Sequence, residues 1–273
     1  MRTRWRLLLA AALAGVISIP HALSAQETGG AGPTHDQSRL IFTVSGGFVG
    51  GSDLWFSSPQ AVQFIVPTDT FALERRIRST LAIGFGGSYF PGDNLGLTVE
   101  GFLVGLGFED SCRQVFSSGS ADVTAVCTSI QGSQKSATSV ILSGGTILRI
   151  NSRKLFSPYA RANLGIVFSN QSSLRTIGQF PSDSGLVDLV IYSDDKNERI
   201  EPSLALGVGF TAAVAKGYQL RWEVRDNIVG VQSVTGTIPI AGFVPPHERV
   251  FKHLFSMTIG FDVVLERRRG RRY

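Results

Sequence analysis

The chain is poor in the residue types that most often carry chemistry. It has 2 cysteines, 4 histidines and 2 methionines among 273 residues. The two cysteines, Cys112 and Cys127, have no histidine near them in sequence. A thiolate metal centre needs more ligands than that, so no metal and no cofactor is expected. A long apolar run is also missing. The strongest, "LLLAAALAGVISI" at 7–19, is shorter than the ~20 residues that a spanning helix requires. Beyond it, no helical period stands out. Charge runs are absent from the body of the chain. The formal net charge of +5 comes from the two ends: Arg2, Arg4 and Arg6 at the start, and "ERRRGRRY" (266–273) at the finish. A basic balance made this way does not predict a nucleic-acid partner.

What is present begins with an export sequence. Three arginines precede the apolar run, and "ALSA" (22–25) carries a small-x-small cleavage pattern. Residues 1–25 therefore read as a signal peptide. Residues 26–38, "QETGGAGPTHDQS", read as a flexible lead-in. Export brings the chain into an oxidising compartment, where Cys112 and Cys127 are expected to form a disulfide. A loop that short gives on the order of 3 kcal/mol in the chain-entropy model.

From residue 39 the pattern is alternation. Eight segments place apolar side chains on one face and small or charged ones on the other: 39–50, 79–90, 95–108, 139–150, 157–168, 202–214, 218–226 and 251–265. A period of two is the mark of a β-strand. In "YQLRWEVRD" (218–226), Leu220, Trp222 and Val224 oppose Arg221, Glu223 and Arg225. In 95–108 the upper half is apolar on both faces, which leaves the register of that strand open.

The connections alternate too. "PGDN" (91–94), "NSRK" (151–154) and "KG" (216–217) are short turns. Between them run four long links, at about 51–78, 109–138, 169–200 and 234–250. Strict alternation of short and long connections predicts an all-β fold, an eight-stranded antiparallel up-and-down transmembrane β-barrel over residues 39–265. A basic tail follows at 266–273.

The composition of the polar face decides that the apolar face points outward. In the second segment that face is Thr80, Ala82, Gly84, Gly86 and Ser88. Such small residues suit a narrow lumen crowded by eight strands. A soluble lipocalin-like barrel, the other eight-stranded solution, would expose Lys and Glu instead. Only a closed barrel satisfies strand backbone groups in lipid. Arg221, Glu223 and Arg225 then face the lumen. Unpaired charge there is costly, so they are expected to pair with Glu100, Arg149, Arg161 and Asp262, each inward by its own strand's alternation.

With these features the chain resembles the small eight-stranded outer-membrane proteins of Gram-negative envelopes, the OmpA, OmpX and OmpW type. The resemblance covers 39–265. "TIGFDVVL" (258–265) adds a motif: Thr258, Gly260, Val263 and Leu265 fit the polar-x-Gly-x-x-apolar-x-apolar assembly signal of such barrels. This implies recognition by the barrel-assembly machinery, an outer-membrane location with periplasmic termini, and contact with outer-membrane lipids and lipopolysaccharide. The bacterial signal usually ends the chain on an aromatic residue, whereas here "ERRRGRRY" follows Leu265. The peptidoglycan-binding domain that follows the OmpA barrel has no counterpart in the sequence.

The expected function is a non-enzymatic barrel, structural or adhesive, or a narrow pore for a small solute. Its long loops would carry any surface partner. The first link contains "DLWFSSPQAVQFIVP" (53–67), apolar for an exposed loop. It is expected to fold back over the barrel mouth; partner binding is its second reading. A lipid A-modifying enzyme is the competing hypothesis. It needs a nucleophile or a base such as histidine near the outer leaflet. The candidates are His35, His247 and His253, none beside a nucleophile motif.

Overall fold

The computed structural model describes residues 39–57, 59–62, 69–135, 138–152, 154–170, 173–193, 200–235 and 244–266. The expected signal peptide, the lead-in with His35, and all but the first residue of the basic tail lie outside them. In chain order the elements are β1 (Arg39–Val49), β2 (Ser52–Phe56), β3 (Gln60–Val62), β4 (Asp69–Ile77), β5 (Thr80–Phe90), β6 (Leu95–Val104) and β7 (Phe108–Phe116). Then come helix α1 (Ala121–Ile130), β8 (Ser133–Lys135), β9 (Ser139–Arg149), β10 (Phe156–Ser169), β11 (Thr176–Ser182) and β12 (Gly185–Tyr192). The chain closes with β13 (Ile200–Ala215), β14 (Tyr218–Val234) and β15 (His247–Glu266).

Eight of these strands form a closed barrel in the order β1-β15-β14-β13-β10-β9-β6-β5, with β5 returning to β1. Every pair is antiparallel. Closure leaves no sheet edge in the wall, which removes the unpaired backbone groups that hydrocarbon cannot satisfy. The three tight turns and both barrel ends of the chain share one rim, the turn end; the long links share the other, the loop end.

The outer face of the wall is apolar. Leu81, Val99, Leu164 and Phe255 are 63–70% exposed, and Leu40, Phe42, Phe48, Ile83, Leu206, Val208, Met257 and Ile259 lie in the same belt. A soluble surface carries no such continuous band. Phe156, Phe210 and Trp222 stack along it, with centroids 4.7 and 4.9 Å apart. The lumen face alternates with it. Leu220 and Trp222 are half-buried among their neighbours and Val224 is exposed, while Arg221, Glu223 and Arg225 are buried.

The register of β6 follows plain alternation: Leu97, Val99 and Leu103 point out, and Thr98, Glu100, Phe102 and Val104 are buried inside. The segment 95–108 is not one strand, however. The barrel strand stops at Val104, and Phe108 already begins β7. Phe102, Val104, Leu106 and Phe108 of its apolar upper half all enter one buried cluster, which runs from the lumen into the cap.

Among the described residues, three of the four long links carry strands or a helix of their own. The strands β2, β4, β7 and β8 make a second sheet, with β3 on β4, and β11–β12 form a separate hairpin. Helix α1 corrects the expectation of an all-strand chain. Its buried residues, Val123, Val126, Cys127 and Ile130, recur at helical spacing and pack towards β11, where Val126 and Ile130 crowd Gly178. The fourth link is shorter than expected, because β14 runs on to Val234 and β15 begins at His247.

Candidate functional site: the filled lumen and its cap

The lumen is filled in three layers. At the turn end, Ile41, Phe90, Ile147 and Tyr159 form an apolar layer with Val264 against it. Beyond it Arg39, 5% exposed, donates to Asp93 at 2.8 Å and to the carbonyl and hydroxyl of Ser152 at 3.2 and 3.0 Å. One arginine thus ties the first strand to two turns.

The middle layer is charged. Arg161 donates to Glu223 at 2.7 Å and to Glu100 at 3.2 Å. Arg225 donates to the same two carboxylates, at 2.8 Å to Glu223 and at 2.8 and 3.0 Å to Glu100. Tyr159 adds its hydroxyl to Glu223 at 2.7 Å. Arg221 grips Asp262 with bonds of 2.9–3.2 Å, and Thr43 donates to the same carboxylate at 2.7 Å. Arg149 stands 3.5 Å from Asp262 and donates to Thr211 and Gln219 at 3.1 and 3.0 Å. All seven residues singled out by alternation, Glu100, Arg149, Arg161, Arg221, Glu223, Arg225 and Asp262, lie inside the barrel and no more than 8% exposed.

Glycines make this network possible. A Cβ on Gly207 would stand 2.6 Å from a carboxylate oxygen of Glu223 and 3.3 Å from Cγ of Arg161. One on Gly84 would stand 2.6 Å from the Ser45 hydroxyl. The guanidinium groups also lean on aromatic rings: Arg149 over Phe90 at 5.3 Å, Arg221 over Tyr159 at 5.0 Å and Arg225 over Phe102 at 4.9 Å. Such contacts gain strength when desolvated.

At the loop end the lumen turns apolar again. Val49, Ala82, Phe102, Val104, Ile141, Val167, Val229 and Leu254 are buried in one cluster with the cap residues Leu54, Trp55, Phe71, Leu73, Val126, Ile130 and Tyr192. "DLWF" therefore does fold back over the mouth, through Leu54 and Trp55; residues 63–67 of that apolar stretch lie outside the described residues.

Arg75 holds the cap together. It is fully buried in β4 and pairs with Asp110 of β7, Nη2 to Oδ2 at 2.7 Å. It also donates to the carbonyls of Ser173 and Arg175, both at 2.8 Å, and lies 5.4 Å from the Trp55 ring and 5.5 Å from the Phe108 ring. Three long links meet at this one side chain. Sequence reading by itself missed it. The available sign was an arginine in the row Phe71, Leu73, Arg75, Ile77, otherwise apolar. Cys112 of β7 and Cys127 of α1 form a disulfide, with Cα atoms 5.4 Å apart. At the exposed base of the cap Arg76 donates to Asp53 at 2.7 Å, and that bond raises the guanidinium pKa.

The remaining sites are more dispersed. Thr258 and Gly260 face the lumen from β15, Leu265 is 51% exposed on the outer face, and Val263 is half-buried. His253 is exposed on the rim and its Nδ1 lies 2.7 Å from Asp226, while Nδ1 of His247 lies 3.0 Å from the carbonyl of Pro245. Neither contact is to a hydroxyl nucleophile.

No family model and no curated protein sequence matches the chain. Among solved structures, it is similar to the outer membrane protein OprG from Pseudomonas aeruginosa, at TM-score 0.46 and 13% identity over 85% of this chain and 98% of that one. It is similar to the outer membrane protein AlkL in DMPC bilayers at TM-score 0.40 and 15% identity, over 91% and 99%. Neisserial surface protein A stands at TM-score 0.40 and 9% identity, over 82% and 96%. At such identities the likeness is one of fold alone. The chain has the architecture of the small eight-stranded outer-membrane barrels. Its own closed sheet and apolar exterior carry that statement.

Proposed function

We propose that this is a non-enzymatic protein of the bacterial outer membrane, with a sealed lumen and a folded loop cap that carries recognition at the cell surface. The sealed lumen is the observation that supports it. Two apolar layers and a charge layer fill the barrel from end to end, and eight strands leave room for little besides side chains. The structural or adhesive reading is thereby favoured over the narrow pore. The cap offers exposed apolar side chains, among them Leu186, Val115 and Phe116. They are candidates for contact with a surface partner. The termini lie on the periplasmic side in this reading, and the wall is solvated by outer-membrane lipid and lipopolysaccharide. Protease shaving of intact cells should cut within the long links and leave the turns untouched; cuts at the turns alone would reverse the orientation.

Thr258, Gly260, Val263 and Leu265 serve in this reading as the assembly signal. Leu265→Asp should leave the chain unassembled and sensitive to periplasmic proteases. Normal assembly of that variant would remove the signal from the account. The enzyme alternative is tested by mass spectrometry of lipid A from cells with and without the protein. Identical masses are expected; a change abolished by His253→Ala would install the enzyme instead.

A further inference from the structure

We propose that a groove beside the β13–β14 turn binds the phosphate of an anionic phospholipid, with the acyl chains running along the wall. The inference rests on the reading that places the turn end in the periplasm, since the groove then meets the inner leaflet. The groove is open to solvent and has a volume of about 510 Å³, within the ~300–1,000 Å³ of small-molecule sites. Its lining includes Ala213, Ala215, Lys216, Tyr218, Gln219 and Leu265, and no acidic side chain. Strand pairing slips by one residue between Ala213 and Ala215. Such a bulge disrupts the ladder locally, and the two methyl side chains beside it leave the space unfilled.

The sign of the surroundings selects an anion. Lys216 is exposed in the lining. Lys154 is exposed at the next turn, one residue from Leu155, whose carbonyl accepts from the Ala213 N–H at 2.8 Å. Gln219 accepts from the buried Arg149 at 3.0 Å, so a guanidinium lies one side chain behind the groove. In sequence, five arginines follow within 267–272, directly after Leu265 and Glu266. Clustered cations next to a membrane attract anionic lipid. The apolar half of the site selects a lipid over a free phosphate. Tyr218, Val214 and Leu265 are 44%, 55% and 51% exposed, and the Tyr218 ring stacks on Phe261 at 5.5 Å. A cation above an apolar stripe complements a headgroup phosphate above its acyl chains. A zwitterionic headgroup brings its own cation, for which the groove has no carboxylate.

The test is native mass spectrometry of the refolded full chain in non-ionic micelles, titrated with phosphatidylglycerol, with phosphatidylcholine and with inorganic phosphate. Phosphatidylglycerol is expected to bind in preference to phosphatidylcholine, and inorganic phosphate is expected not to displace it. Lys216→Gln should weaken the binding about fivefold, the effect of one cation at a membrane surface. Ala215→Trp fills the groove and keeps every cation. It should remove the preference, which a diffuse attraction to the basic tail would retain. Heat-modifiable gel mobility checks that each variant folds, and Ala215→Leu replaces the larger side chain if Ala215→Trp does not. Equal binding of the two lipids, displacement by inorganic phosphate, or a preference that survives the filled groove would overturn the site. Binding in micelles is independent of how the chain sits in a membrane, so protease shaving of intact cells tests the orientation separately.

Discussion

At the scale of single residues, the wall of this barrel carries two opposite rules on neighbouring positions. Glu223 holds two arginines and a tyrosine inside, and Val224, next in the chain, is 51% exposed on the outer face. Glu223→Ala removes the carboxylate and leaves Arg161 and Arg225 competing for Glu100. The expected loss is ~3–5 kcal/mol, the cost of breaking a buried ion pair from one side. Val224→Arg disturbs nothing inside but places a charge in lipid, at ~2–4 kcal/mol near the midplane. Gly207→Ala has neither fault. Its new methyl would meet Glu223 at 2.6 Å, and overpacking of this kind costs ~1–3 kcal/mol. Urea unfolding in liposomes should rank the three variants below wild type. A Gly207→Ala barrel as stable as wild type would mean that the network has slack that the geometry does not show.

At the scale of elements, barrel and cap differ in what holds them. Strand pairing closes the barrel, whereas side chains from separate links close the cap. Removal of the Cys112–Cys127 disulfide by a double serine substitution releases α1 from β7. The chain-entropy term lost is on the order of 3 kcal/mol. Limited proteolysis should then cut between 108 and 135 while the barrel keeps its heat-modifiable mobility. If the cap stays resistant, Arg75 and its carbonyl partners suffice without the disulfide. The same division explains what was legible in the sequence. The barrel strands obey a local rule, alternation, and seven lumen charges could be placed from it. In the cap, alternation along β4 puts Arg75 in the inward row with Phe71, Leu73 and Ile77 but names none of their partners. Arg75 is buried only because Trp55, Asp110 and Ser173 arrive from three distant places. Helix α1 was hidden for a different reason. "ADVTAVCTSI" is half β-branched, which argues for strand, and its apolar spacing prevails only once β11 is there to cover it.

At the scale of the molecule, the stacked layers make a statement about permeability that no single layer makes. The turn-end layer of Ile41, Phe90, Ile147 and Tyr159 is independent of the cap, and so is the charged layer above it. The loop-end layer is continuous with the cap through Leu54 and Trp55. Removal of the cap, by replacing the links 51–78, 109–138 and 170–199 with short turns, therefore thins one barrier out of three. Such a barrel should still refold, because all eight wall strands keep their partners. In a planar bilayer both the full chain and the capless barrel should be silent. Glu223→Ala in the capless barrel loosens the charged layer as well, yet the turn-end layer still stands. Currents should begin only when that layer is thinned too, by Phe90→Ala and Ile147→Ala in the same chain. Discrete steps from the capless barrel alone would place the whole seal in the loops, and the folded cap would then be a gate rather than a platform.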